Sequence, residues 1–280
     1  MQDPLNRKSA SETIAVFRRY VTDYVNRHDF SVIGQFMTDD YTLDSSGFQV
    51  TGRDGDYQAA VARQLQQFPG LVFTPHEMVN VGNRIAIRFT EHGASMKHDG
   101  RRAAWPSIAI YEVRDGLLAR CAIEQDYQSR NRQLDTGVTV TPDPPAVAPW
   151  DTPESAPNPA AEKVVLDWLS SSAFLDTAGV QVDDSRATGV VERIVDKGSV
   201  EILDILSGGD SVGFHAIQTG VLADDFATEF KPQAGQPVKI HLSGLVTLSG
   251  GQVTRGNVIR DRYGLYRKLG RAAKAAAPAN

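Results

Sequence analysis

Apolar residues first recur at helical spacing. Ile14, Phe17, Val21, Tyr24 and Val25 mark one face of a helix opened by Ser11 or Ser9 and broken at His28-Asp29. Phe30, Ile33, Phe36 and Met37 predict a second, short helix, and Tyr57, Val61 and Leu65 a third over 54–67. Between them Tyr41-Thr42-Leu43-Asp44 alternates as a strand does, and Ser45-Ser46-Gly47 turns the chain. Long strands are then predicted over 72–80, 84–96, 103–113 and 117–127. The last pair is joined by Asp115-Gly116, a strong hairpin signal. Helices followed by a run of antiparallel strands predict an α+β domain with helices on one face of a curved sheet.

The pattern returns near the other end. Lys239–Ser249 and the strand ending Gly256-Asn257-Val258-Ile259-Arg260-Asp261 flank Gly250-Gly251, as the earlier hairpin flanks Asp115-Gly116 and ends Ile123-Glu124-Gln125-Asp126. Two hairpins, each finishing on Asp before a basic segment, read as an internal duplication. The second copy is abbreviated: a helix over 160–170, a likeness to the third helix over 187–195, strands over 201–206 and 211–220, then the hairpin. Between the copies, seven prolines from Pro142 to Pro159 exclude helix and central strand and predict a semi-rigid extended linker. Trp150 within it is expected to dock on a domain. The expected domains are therefore 8–135, a linker over 136–159, an abbreviated copy over 160–270 and a flexible tail over 271–280.

Length agrees, since 280 residues suit two medium domains better than one. A net charge of −5, mixed in sign, carries no nucleic-acid footprint. One cysteine, Cys121, excludes an intrachain disulfide and suits a reducing compartment. Neither a signal peptide nor an apolar run near the roughly 20 residues of a membrane span is found, so a cytoplasmic protein without membrane partners is expected.

The order α-α-β-α-β-β-β-β resembles the nuclear transport factor 2-like fold, and the strings resemble its SnoaL-like, polyketide cyclase-like branch. The residues carrying the likeness are Phe36-Met37-Thr38-Asp39-Asp40-Tyr41, the strand Ile85–Gly93, Tyr111-Glu112-Val113-Arg114-Asp115-Gly116 and Glu124-Gln125-Asp126-Tyr127. The resemblance covers roughly residues 11–134. It implies cone-shaped domains in which a curved sheet wraps an apolar pocket, arranged in tandem as a pseudo-dimer. It also implies a cofactor-independent enzyme acting by acid–base chemistry on a small apolar oxygenated molecule, by cyclisation, isomerisation, dehydration or epoxide hydrolysis. Pairing is implied within the chain, and a homodimer is a further arrangement the fold allows.

In relatives an Asp at the place of Asp126 serves as base or orients a water, and Arg260-Asp261 resembles the Arg-Asp pair of limonene epoxide hydrolases. A carboxylate partly desolvated by an apolar pocket becomes basic enough to take a proton near neutrality. The plain alternative makes Asp126 and Asp261 strand-end carboxylates paired with Arg130 and Arg267. Leu118, Arg120, Ala122 and Glu124 share one register, and whether Asp126 continues it depends on a bulge.

His215, with Asp261, is the candidate acid–base pair of the second copy. His92, Trp105, Tyr41, His241 and Arg260 are candidate pocket groups. Arg88 faces a ligand or pairs with Glu112 across the hairpin. Tyr20 stands where ketosteroid isomerases of this superfamily hold an oxyanion. Their remaining groups are missing at Ser45 and Ala109, so that mechanism does not carry over. No His, Cys or Asp spacing reads as a metal-ligand set, and neither Gly208-Gly209 nor Gly250-Gly251 has a phosphate loop's context, so no metal or nucleotide cofactor is implied. The second function class is a non-catalytic small-molecule-binding or dimerisation module.

Overall fold

The computed structural model describes residues 11–276. Helix α1 (Glu12–Arg19) is capped by the Ser11 hydroxyl, which accepts from the backbone N–H of Ile14. It widens into a π-helical turn over Tyr20–Val25 that buries Tyr20 and Tyr24. A 3-10 turn (Phe30–Gln35) leads into β1 (Met37–Ser45), so Met37 opens a strand where a helix was expected. Strand β2 (Phe48–Thr51), a second π turn (Gly52–Tyr57) and α2 (Gln58–Gln67) follow. The long strands are β3 (Val72–Val81), β4 (Arg84–Ser95), β5 (Arg101–Arg114) and β6 (Leu117–Gln125). Asp126 then caps α3 (Tyr127–Thr136), so the strand stops before the Tyr127 expected to end it.

The sheet order is β2-β1-β6-β5-β4-β3, with β1 parallel to β6 and every other neighbour antiparallel. The second half contains α4 (Pro159–Ser170), β7 (Val180–Val182), α5 (Ser185–Thr188), β8 (Val195–Gly208), β9 (Ser211–Leu222), β10 (Pro237–Ser249), β11 (Gln252–Arg260) and α6 (Arg262–Ala276). Its sheet order is β7-β11-β10-β9-β8, with β7 parallel to β11 and every other neighbour antiparallel. Strand for strand, β7, β11, β10, β9 and β8 repeat β1, β6, β5, β4 and β3, and α6 repeats α3. The two sheets therefore share one strand order, and β2 has no counterpart in the second sheet. The turns that announced it share a geometry: Asp115-Gly116 and Gly250-Gly251 all adopt positive φ, as a two-residue hairpin matched to strand twist requires.

The stretch 187–195, expected to resemble the third helix, instead holds the end of the four-residue α5 and a coil before β8. The expected flexible tail begins inside α6, which is helical through Ala276; the remainder lies outside the described residues.

Alternation on β4 sends Ile85, Ile87 and Phe89 into the first domain's core and Ala86 to the opposite face. That opposite face is not solvated. Val79, Val81, Ala86, Ile108 and Ile110 of the first sheet pack on Leu206, Leu245 and Ile259 of the second. The backbones come so close that a Cβ on Gly213 would lie 2.4 Å from that of Ala86. Charges surround this seam. Arg84 and Arg120 of the first sheet both reach Asp204 of β8.

The linker runs along the free edge of β3. Ala146 donates to the carbonyl of Pro75, and Ser155 to that of Asn80. Asp143 pairs with Arg88 on one side and Arg186 on the other. Trp150 packs on the first domain's core, its ring 6.4 Å from that of Phe17.

The second domain's inner face is filled. The Phe214 ring lies over Gly244, where a Cβ would be 2.2 Å from Cζ, and Trp168 and Phe174 pack beside it. The resemblance implied a hollow in each half; in the second, Phe214, Trp168 and Phe174 pack across the inner face.

Candidate functional site

The hollow of the first domain lies between the sheet and its helices, with a volume of about 80 Å³. Tyr20 and Tyr24 enter it from the π turn, Tyr41 from β1, Tyr57 from the turn before α2 and Tyr111 from β5. Phe73, Phe89, Leu43, Ile123 and Cys121 supply the apolar wall. A largely apolar hollow with a few placed polar groups is the usual form of a small-molecule site. The Tyr20 and Tyr57 hydroxyls bond to each other at 3.3 Å, and the enclosed hydroxyl of Tyr24 has no hydrogen-bond partner among the described residues. Burial holds Tyr20, Tyr24, Tyr41, Tyr57 and Tyr111 well above the ordinary phenol range, so each stays a protonated donor at neutral pH. Burial also pushes the Cys121 thiol up to about 12.

The acidic group of this hollow is Glu91 on β4. It lies in the same register as Ile85, Ile87 and Phe89, so a carboxylate occupies an apolar position and is buried. Three donors converge on its Oε2: Gln125 Nε2 at 2.6 Å, Gln64 Nε2 at 2.9 Å and Trp105 Nε1 at 3.1 Å. Its Oε1 has no hydrogen bond among the described residues and is not among the fully enclosed unpartnered atoms. Burial pushes the Glu91 carboxyl up, and the three donors and the nearby Arg130 hold it down less strongly, so the net shift is upward. Arg130 is itself buried against aromatic rings, its guanidinium 4.3 Å from the centre of Tyr127 and 5.4 Å from that of Trp105. Sequence reasoning passed over Glu91, and the available signal was that single acid in an alternating apolar strand.

The expected catalytic residues lie elsewhere. Asp126 is buried on the far side of the sheet and does not line the hollow. Its Oδ1 caps α3 through Ser129 N–H at 3.0 Å, and both its oxygens meet Arg262 Nη2 at 2.9 and 3.0 Å. Its ion pair is thus with Arg262, on α6, rather than with Arg130. Burial pushes Asp126 up, Arg262 pulls it down and Asp183 and Asp184 push it up again, to about 6. Asp261 caps the start of α6, accepting from Gly264 N–H at 2.8 Å, and burial pushes it up to about 6. It lines a cleft of about 400 Å³ at the rim of the seam, with Ser46, Lys239, His241 and Arg267, rather than an apolar hollow.

His215 is fully buried in the seam, its ring 5.9 Å from that of His241, and burial depresses it to about 4. Arg260 is buried against Asp183 at 2.6 Å and is structural. Arg88 lies opposite Ile108, not Glu112, and pairs with Asp143 at 2.8 Å. It lines a second cleft, of about 380 Å³, between linker and second domain. His92 bonds Thr74 Oγ1 at 3.2 Å, outside the hollow. Of the candidate residues, Tyr20 and Tyr41 line the hollow and Trp105 braces its acid.

The seam also gathers Glu124, His215 and His241, each offering one ligand atom within 4.8 Å of the others. Spacing along the chain did not show this set because its members come from two domains.

Residues 17–121 match the family model described as SnoaL-like domain. No curated protein matches the chain. Similar solved structures align with about half of it and nearly the whole of themselves. AclR from Streptomyces galilaeus is 21% identical over 49% of this chain and 91% of its own, with a TM-score of 0.41. TsrD from Streptomyces laurentii is 22% identical over 46% and 98%, with a TM-score of 0.40. An epoxide hydrolase of M. tuberculosis described as LEH-like is 18% identical over 46% and 89%, with a TM-score of 0.38.

Proposed function

We propose that the first domain is a cofactor-independent acid–base enzyme acting on a small, mainly apolar, oxygenated molecule held in the tyrosine-lined hollow. The observation that carries this reading is Glu91. One of its oxygens is saturated by Gln64, Trp105 and Gln125, and the other has no hydrogen-bond partner among the described residues. Such an arrangement fixes the carboxylate rigidly while leaving a lone pair for a proton, and its raised pKa brings its basicity closer to neutral pH. The protonated tyrosines, Tyr24 with its unbonded hydroxyl above all, are the donors for oxygen charge that develops as the proton leaves. The SnoaL-like match over this domain supports the same class of chemistry. The base is Glu91 in place of Asp126, and proton transfer beside a carbonyl or to an oxygen leaving group is the shared step of the cyclisation, isomerisation, dehydration and epoxide-opening alternatives. The second domain, with its filled core, is a structural partner in this reading.

The test is deuterium exchange beside the carbonyl of small cyclic ketones and enones, followed by NMR in heavy water. Wild-type protein is expected to catalyse exchange, and Glu91→Gln to lose about 100-fold or more, the usual contribution of a positioned base. Catalysis in wild type that survives unchanged in Glu91→Gln refutes the assignment. The larger cleft beside Arg88 favours a second reading, a binding module, which a ligand retained there without turnover would support.

A further inference from the structure

Three buried polar atoms in the seam between the sheets have no hydrogen-bond partner among the described residues. His215 on β9 is fully buried, and its Nδ1 is engaged by Ser243 Oγ at 2.9 Å, which leaves Nε2 enclosed without a partner. His241 on the neighbouring β10 leaves Nδ1 enclosed in the same way. The Oδ1 of Asp44 on β1 is likewise enclosed and unpartnered. Facing them from β6 is Glu124, fully buried, whose two oxygens accept one hydrogen bond each from Ser46, from N–H at 3.0 Å and from the hydroxyl at 2.9 Å. A buried polar atom without a partner costs about 1–3 kcal/mol. Several in one seam, all offering lone pairs or acid oxygens, are unusual in a native interior. Arg120, whose charge acts on His215, is committed to Asp204 at 2.7 Å.

We propose that Glu124, His215 and His241 bind a divalent transition-metal ion of the zinc class between the two domains. Two imidazole nitrogens and a carboxylate are the donor set such ions select, whereas calcium and magnesium prefer oxygen alone. The ligand atoms lie within 4.8 Å of one another. A tetrahedral ion with bonds of about 2.1 Å needs them roughly 3.4 Å apart, a closure reachable by small side-chain rotations. The surrounding shell is in place: Ser243 engages Nδ1 of His215 and so leaves Nε2 for the ion, and Ser46 orients Glu124. Gly47, at positive φ, passes so close that a Cβ there would sit 2.6 Å from His241 Nε2, which leaves the other ring nitrogen for the ion. An entry path exists, because His241 also lines the open cleft with Lys239, Asp261 and Arg267. Three protein ligands leave a fourth position on the cleft side for water or an anion. This site is independent of the hollow around Glu91.

The experiment titrates chelator-treated full-length protein with Co2+, followed by its visible ligand-field band, and with Zn2+ by calorimetry. One ion per chain is expected. His241→Gln, half-buried and tolerant of change, is expected to weaken binding by roughly 10–100-fold or more, and Glu124→Gln likewise. Should Glu124→Gln fail to fold, His241→Gln alone decides. No uptake by wild type, unchanged affinity in His241→Gln, or equal competition by Mg2+ would each overturn the proposal.

Discussion

Arg262 is the most consequential single side chain at the seam, and replacing it with methionine isolates why. Its guanidinium is buried and touches four acids: Asp126 at 2.9 Å, Asp184 at 2.9 Å, Glu192 at 3.0 Å and Asp183 at 3.3 Å. Burial opposes its charge, but the four carboxylates outweigh that and hold its pKa well above the ordinary value. The variant does not strand all four. Asp183 keeps Arg260 at 2.6 Å, Asp184 keeps Arg132 at 2.6 Å, and Glu192 is partly exposed. Asp126 and Glu192 lose their cation, but of the two only Asp126 is fully buried, and it retains just the Ser129 N–H.

One uncompensated buried charge costs about 3–5 kcal/mol, and that is the expected loss for Arg262→Met in chemical denaturation. The pH dependence supplies an independent check. Asp126 already sits at about 6, above its unfolded value, and Arg262 is the main cause holding it down. An acid raised in the folded state contributes stability that is complete below its unfolded pKa and is lost as pH rises through the folded one. The deficit of Arg262→Met is therefore expected to be larger at about pH 8 than at about pH 5. Adding Asp126→Asn should recover more than half of it, and exposed Arg18→Met should stay within about 0.5 kcal/mol of wild type. A loss below about 1 kcal/mol, or one that grows toward acid, refutes the reasoning.

Other outcomes follow from the same contacts. Gly213→Ala forces its new methyl against Ala86 and is expected to cost about 1–3 kcal/mol, with Ala86→Gly in the same chain restoring most of it in thermal melts. Phe214→Ala empties the second domain's filled core and should cost about 3–5 kcal/mol by denaturant titration; a cost below about 1 would mean the ring does not fill that space. Cys121, buried and pushed up to about 12, should resist aromatic disulfide reagents in the native state and react fully once unfolded. Rapid native labelling would show that the hollow opens.

Much of the fold was legible because its signals are local. Asp115-Gly116 and Gly250-Gly251 carry their turn type in their composition, and alternation in Ile85–Phe89 identifies a strand with one core face. What alternation does not report is the fate of the other face. β5 and β6 are buried on both sides because the second sheet covers the first, so Glu124 and Asp126, polar positions that read as solvent or pocket, are interior to the chain. Glu91 went unremarked for the converse reason: an acid in an apolar register looks like noise until Gln64, Trp105 and Gln125 are seen to converge on it. The filled second core depends on Phe214 meeting Gly244 across neighbouring strands, a register fact rather than a compositional one. The histidine–glutamate set spans both domains, so no spacing rule along the chain could assemble it.

The proline-rich segment does more than join the halves. By lying against β3 and donating to the carbonyls of Pro75 and Asn80, it occupies backbone groups that would otherwise recruit a strand from another molecule. A tether made of residues unable to continue a sheet thus serves as a bumper. Proteolytic nicking between Val138 and Val147, with both cores intact, should leave a protein that still folds but sticks to its own copies.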